Sequence, residues 1–584
     1  MICSSLNLVF FTSVSSRRRT LAQTGRVSGE HVTSDRLSFE ADLSSSRANY
    51  LMSQPASVIG NYLNGNLAFD IRPGQLLPSI TRADTITPAQ LTNHFTWDIA
   101  NKFKDDITEG RLQAEWKTDW GVLDRVQAGG LYSERRKTSD YFQTPGSNFC
   151  AYCGYTTPID TAQIRSFTLN NWLPNSSGSN NIISSFYTFD VPSILAYQSL
   201  PATLNSRTAG EQAALPTAAF LATGGFARVL QPGSSFDVTE QVAAGYVNTV
   251  WKGSFWSANV GVRFTKTNTS SSGVIQPVTA IAPNINDSSL LQFTYGPATP
   301  TTVKNDYFNV LPAANLKIDA TSTLVARLAV SKTLTRPTLS NLGLNNNYAG
   351  RVTQPISSGG NPLLKPFTSW NYDASIEWYA TRDISLTADV FRKKFSSFLS
   401  NQTIIVPRAG TNLSGQPTTY NFNDTRPRNG NSGTVTGAEV AGQYSFPGDG
   451  FLSGFGVGAN YTYVTSDQKV VTPGDCTQIE GLSKHSYNAT AFYEKYGIQA
   501  RGSYNWRSGY LVACRGLQGK PQNANPYGQL DASIAYDITN YFQVYLEGVN
   551  LNNAYTYQYS VYENRFLNNV SFGRRLLFGV RVKY

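Results

Sequence analysis

The residues of this sequence best equipped for chemistry are its cysteines, its histidines and a set of aromatic rings in polar surroundings. Cys150 and Cys153 stand in the tetrapeptide CAYC, a spacing that two zinc ligands can share, yet no histidine lies near to complete a set. The histidines are His31, His94 and His485, and none sits in an HExxH motif; no GxSxG elbow offers a nucleophilic serine and no P-loop offers a phosphate cradle. The chain is therefore expected to be no enzyme, with no catalytic residue, cofactor or metal. Trp172, Tyr187, Tyr197, Tyr348 and Trp506 are candidate ligand contacts, because a flat ring can stack on a sugar face. The same residue types also form girdles at membrane interfaces.

Composition indicates what must hold these side chains. Of 584 residues 15% are charged and 12% aromatic, with 32 Tyr and 31 Phe against 2 Met, while 47 Gly and 27 Pro interrupt the chain. That profile fits many short strands joined by turns and polar loops, an all-β class. No apolar run reaches the length of a helical membrane span, a test that says nothing about strands.

Alternation recurs down the chain. In WSANVGVRF, Trp256, Ala258, Val260, Val262 and Phe264 share one face against Ser257, Asn259, Gly261 and Arg263. The same split returns at Leu324–Val330, Tyr372–Trp378, Phe455–Tyr463, Ile498–Trp506 and Leu530–Ile538. Connections alternate too: tight turns at DATST, ATRD, PGDG, EKYG and DITN are each followed, one strand later, by a long polar stretch. Short turns on one side and long loops on the other describe an antiparallel transmembrane β-barrel, with about 15 strands from Gly110 onward and about 16 or 17 in all. The last strand would then turn Leu576, Phe578, Val580, Val582 and Tyr584 to lipid and Arg575, Arg581 and Lys583 to the lumen. The net charge of +10 reads first as basic lumen walls, with attraction of anionic ligands or lipopolysaccharide phosphates as the alternative.

Several stretches carry a resemblance. RLAVSKTLTRPTLSNL (Arg327–Leu342), GGNPLLKPFTSWNYDASIEWY (Gly359–Tyr379), GTVTGAEVAGQYSF (Gly433–Phe446), GLSKHSYNATAFYEKYGIQARGSYNWRSGY (Gly481–Tyr510) and LEGVNLNNAYTYQY (Leu546–Tyr559) resemble, in order, the barrel of TonB-dependent receptors, in their Xanthomonas and Caulobacter branch. RVQAGGLYSERRK (Arg125–Lys137) is similar to an earlier strand of that barrel. The resemblance implies an outer-membrane location, uptake of a scarce small-molecule nutrient such as a ferric siderophore or an oligosaccharide, and a TonB complex that drives it. It also implies contact with outer-membrane lipid, and a terminal strand read by the barrel assembly machinery; no nucleic-acid partner is expected. The family departs from this sequence at the front. Residues 36–584 read as barrel and residues 1–35 as an unstructured segment, with no signal peptide, TonB box or plug discernible and fewer strands than the about 22 of such barrels. A truncated receptor is the expectation, and a plug-free passive porin the alternative. On this topology Cys150, Cys153, Cys476 and Cys514 all lie in outer loops, where an oxidising compartment favours disulfides, Cys476 with Cys514 and Cys150 with Cys153.

Overall fold

The computed structural model describes residues 19–34, 36–60, 67–70, 79–82, 86–145, 148, 151–152, 157–169, 185–284, 288–469 and 476–582. Its frame is an 18-stranded sheet, one member of which, Val229–Leu230, is only two residues long. The other seventeen strands pair antiparallel with their neighbours in chain order, an up-and-down meander. The first seven are long: Arg19–Ser34, Leu37–Gly60, Thr92–Trp120, Leu123–Gln143, Phe236–Lys252, Trp256–Ile275 and Thr299–Asp319. Ten shorter ones follow, from Leu324–Thr335 to Arg575–Val582. A strand of roughly 10 residues crosses a bilayer, so the 29 residues of Thr92–Trp120 carry the wall well beyond it.

Residues 1–35 are not unstructured throughout. Arg19–Ser34 is a strand, in register with the next from Thr20 against Tyr50 to Val32 against Ser38. The physical reason is the 24-residue neighbour Leu37–Gly60. Its edge presents a row of backbone N–H and C=O groups that any extended segment can satisfy, so the polar sequence RTLAQTGRVSGEHVTS is recruited by its backbone. Residues 1–18, with Cys3, lie outside the described residues.

Register sorts side chains into two faces. Leu328, Ala374 and Val390 are aligned across three strands, and Ile376, Ala388, Val440, Tyr461, Tyr487 and Trp506 across six. These belong to a face rich in exposed large apolar side chains, the surface a bilayer would cover. The opposite face is polar: Arg327 donates to Glu377 at 2.7 Å, and Asn488 to Asn460 at 2.8 Å. The terminal strand follows the rule, for Leu576, Phe578, Val580 and Val582 are exposed while Arg581 donates to the buried Gln543 at 2.8 Å. Tyr584 and Lys583 lie outside the described residues.

The tight connections are on one end. Lys495 pairs with Ile498 around Tyr496 and Gly497, both with positive φ (54° and 76°), the two-residue turn whose twist matches that of the flanking strands.

Candidate functional site: the outer loops

The opposite end carries the long connections, and they fold into structured units. Residues 336–366 and 396–432 each form a hairpin, Asn346–Arg351 with Gln354–Gly359 and Leu399–Thr411 with Pro417–Asn429. A parallel pairing of Ile356, Ser357 and Ser358 with Asn423, Asp424 and Thr425 joins them into one four-stranded sheet. Ile281 and Leu291, from the loop after Trp256–Ile275, bury against Tyr420 and Phe422 of that sheet, so three loops share one small core.

This unit is anchored on the polar face of the barrel wall. Leu339, Leu342 and Leu364 cluster with Val238, and Ser271, which faces Val238 across the ladder, donates its hydroxyl to the Leu342 carbonyl at 2.5 Å. Asn305 donates to the Leu364 carbonyl at 3.0 Å. Approach is so close that a Cβ on Gly273 would stand 2.2 Å from the Leu344 carbonyl oxygen. The 336–366 loop is thus tucked over the lumen side of the wall, and apolar residues on the otherwise polar face are explained by what covers them.

Alternate residues of Pro417–Asn429 project from one face of the loop sheet: Tyr420, Phe422, Asp424, Arg426 and Arg428. Asp424 is buried and accepts from Arg426 Nε and Nη2 (both 2.7 Å), from Arg428 Nη2 (2.6 Å) and from the Ser357 hydroxyl (2.8 Å). Burial alone would raise the Asp424 pKa, but the hydrogen bonds from Arg426 and Ser357 and the charge of both guanidiniums outweigh it and hold the carboxyl below its ordinary range. Arg408, opposite Tyr420, lies over the rings of Tyr348 and Phe422 at 5.0 and 5.8 Å.

A second unit joins the loops nearest the C-terminus. Tyr510–Ala513, Gln522–Ala524, Tyr555–Ser560 and Phe566–Ser571 form a four-stranded sheet, and Cys514 is bonded to Cys476 of the preceding loop with a Cα separation of 5.8 Å. Cys150 and Cys153 lie outside the described residues. The connection between Leu123–Gln143 and Phe236–Lys252, expected from sequence to be one long outer loop, holds four short helices, Val191–Gln198, Pro201–Asn205, Ala209–Ala214 and Thr217–Ala222. They close over Tyr152, Leu204, Phe220 and Phe226, with the buried Arg207 donating to the carbonyls of Leu204, Ala151 and Leu215.

Four of the five aromatic candidates are among the described residues, and these four are not brought together. Tyr348 sits under Arg408. Tyr187 donates to the Ile86 carbonyl at 2.7 Å and so ties two loops; Tyr197 is half-buried in the helix Val191–Gln198. Trp506 stacks on Tyr487 (5.1 Å between centroids, 23° between planes) on the apolar face, a girdle position rather than a loop one. Trp172 lies outside the described residues. Sequence reading missed Arg408, Asp424, Arg426 and Arg428; the period of two in YNFNDTRPRN (Tyr420–Asn429) was the signal that could have found three of them.

An up-and-down meander with an apolar outer face, a polar inner face, tight turns at one end and folded loops at the other defines an outer-membrane β-barrel protein. Residues 38–551 match the family described as TonB dependent receptor-like, beta-barrel. The chain belongs to that family, a family of outer-membrane transport proteins rather than enzymes, and resides in the bacterial outer membrane. No curated protein matches it. Among solved structures it is similar to the ferric-catecholate import receptor Fiu of E. coli K12 in its closed form, at 14% identity and a TM-score of 0.57, over 98% of this chain and 65% of that one. It is likewise similar to the siderophore receptor PiuA of Acinetobacter baumannii (14%, TM-score 0.56, 98% and 65%) and to the ferric yersiniabactin uptake receptor FyuA of Yersinia pestis (13%, 0.54, 98% and 63%). The chain spans less than two thirds of each of these proteins, and at such identity the likeness is one of fold.

Proposed function

We propose that this chain is the wall and outer ligand platform of a TonB-dependent receptor that takes up a scarce nutrient of the ferric siderophore or oligosaccharide class. Its family membership supplies the frame, and the motifs from Arg327 to Tyr559 favour the Xanthomonas and Caulobacter branch. The observation that carries the reading is the outer platform itself. Three loops build a common core and the 336–366 loop folds over the lumen side of the wall, an arrangement that favours ligand capture over the freely open mouth of a passive porin. The nutrient is held by the platform, and its entry is powered from the inner membrane through the TonB complex. The test is growth and radiolabelled uptake in the producing bacterium under iron limitation and on oligosaccharides as sole carbon source, with the gene deleted and the gene for TonB deleted. Loss of one uptake activity in both deletions is expected; uptake that survives loss of TonB would favour the passive pore.

A further inference from the structure

Between the two hairpins of the outer loop sheet and the barrel wall lies a cavity of about 450 Å³. Its lining includes Arg408, Arg426 and Arg428 with Asp424 as the one acidic side chain, so the cluster retains an excess of two positive charges. Val303, also in the lining, is paired with Ser271 and shares its face, which places the cavity at the lumen side of the outer mouth.

Two of these guanidiniums are incompletely used. Arg426 forms a two-point contact with Asp424. Arg428 reaches the same carboxylate through one Nη, while its buried Nε has no hydrogen-bond partner. Arg408 has no ion pair or hydrogen bond among the described residues, its Nε is buried and unsatisfied, and it is held by the faces of Tyr348 and Phe422. A buried N–H without an acceptor is costly, and a guanidinium packed against ring faces keeps N–H donors at its edge, which can donate to carboxylate or phosphate oxygens in pairs. Asp424 restrains Arg426 and Arg428 and neutralises only one of the three charges.

We propose that this cavity is an oxyanion subsite: Arg408 and Arg428 bind a carboxylate- or phosphate-bearing group of a small soluble ligand, with Tyr348 and Phe422 holding Arg408 and Asp424 positioning Arg428. The proposal rests on the receptor reading above and narrows its substrate class to ligands that carry negative oxygens.

The test is equilibrium binding to outer membranes isolated from cells that make the protein, with folded protein quantified by heat-modifiable migration. Probes are radiolabelled citrate, pyrophosphate, the neutral sugar maltoheptaose and vesicles containing lipid A. Saturable binding of citrate or pyrophosphate is expected, weakening with salt. Arg408→Gln should lower the affinity about tenfold or more at unchanged folded amount, the loss of one charge-assisted contact, and Arg408→Lys should recover part of it. Identical curves for Arg408→Gln and the natural protein would overturn the subsite. Saturable binding of maltoheptaose alone would overturn it and leave the receptor reading standing, whereas no saturable binding of any probe would count against both. Binding of lipid A without either free anion would overturn the small-ligand assignment.

Discussion

At the scale of single residues, position on the ladder decides what a side chain does. Val580 and Arg581 are neighbours, but one is exposed on the apolar face and the other donates to Gln543. A charge facing lipid near mid-bilayer costs about 2 kcal/mol or more, so Val580→Asp should cut the yield of assembled protein severely and Arg581→Gln only mildly. Equal yields of heat-modifiable protein in outer membranes would contradict the face assignment. Tyr496 holds φ at 54°, a conformation that costs an ordinary L-residue about 1–2 kcal/mol and asparagine less. Tyr496→Asn should therefore raise the temperature at which the extracted band loses its folded migration, and Gly497→Val should lower it. Asp424, whose pKa is depressed in the folded protein, contributes stability that is complete above its unfolded value of about 3.9 and is lost as pH falls through the lower folded value. Hydrogen exchange of Pro417–Asn429, corrected for intrinsic rate, should accelerate only below about pH 4. Asp424→Asn should show faster exchange already at neutral pH, by the equivalent of about 2 kcal/mol, and without that acid step.

Strands and loops were unequally legible. The alternation and turn words of the strands from Leu324 onward placed each of them within a few residues, because one face must meet lipid and the other water. The tight turns were legible for the same reason: EKYG carries the glycine that a left-handed turn needs. Inside the loops no such pressure orders the pattern, and hairpins such as Leu399–Thr411 with Pro417–Asn429 were read as polar connection, since their core is assembled from three separate loops. The disulfide between Cys476 and Cys514 was readable from compartment and shared side of the membrane. It ties two connections that are separate in sequence, so a double Cys476→Ser, Cys514→Ser variant should leave the barrel assembled while protease added to intact cells cuts between Asp467 and Arg515 several-fold faster. Peptide mapping without reductant that recovers both thiols free would remove the clamp from this account.

For the whole molecule, pairing runs from Arg19–Ser34 to Arg575–Val582, and among the described residues no ladder joins those two strands to each other. In a bilayer each unpaired N–H or C=O costs several kcal/mol, so a wall that is stable in lipid needs backbone partners along both of these strands. The sequence by itself determined the class, the lipid and lumen faces, the end that carries the loops and the family, because all of these follow from side-chain periodicity and from words confined to single strands. The recruitment of Arg19–Ser34, the inward tuck of the 336–366 loop and the gathering of Arg408, Asp424, Arg426 and Arg428 around one cavity were decided only by the tertiary structure. Each depends on backbone pairing or on contacts between segments distant in the chain; the period of two in Tyr420–Asn429 sets Asp424, Arg426 and Arg428 on one face, but no local period says what that face meets.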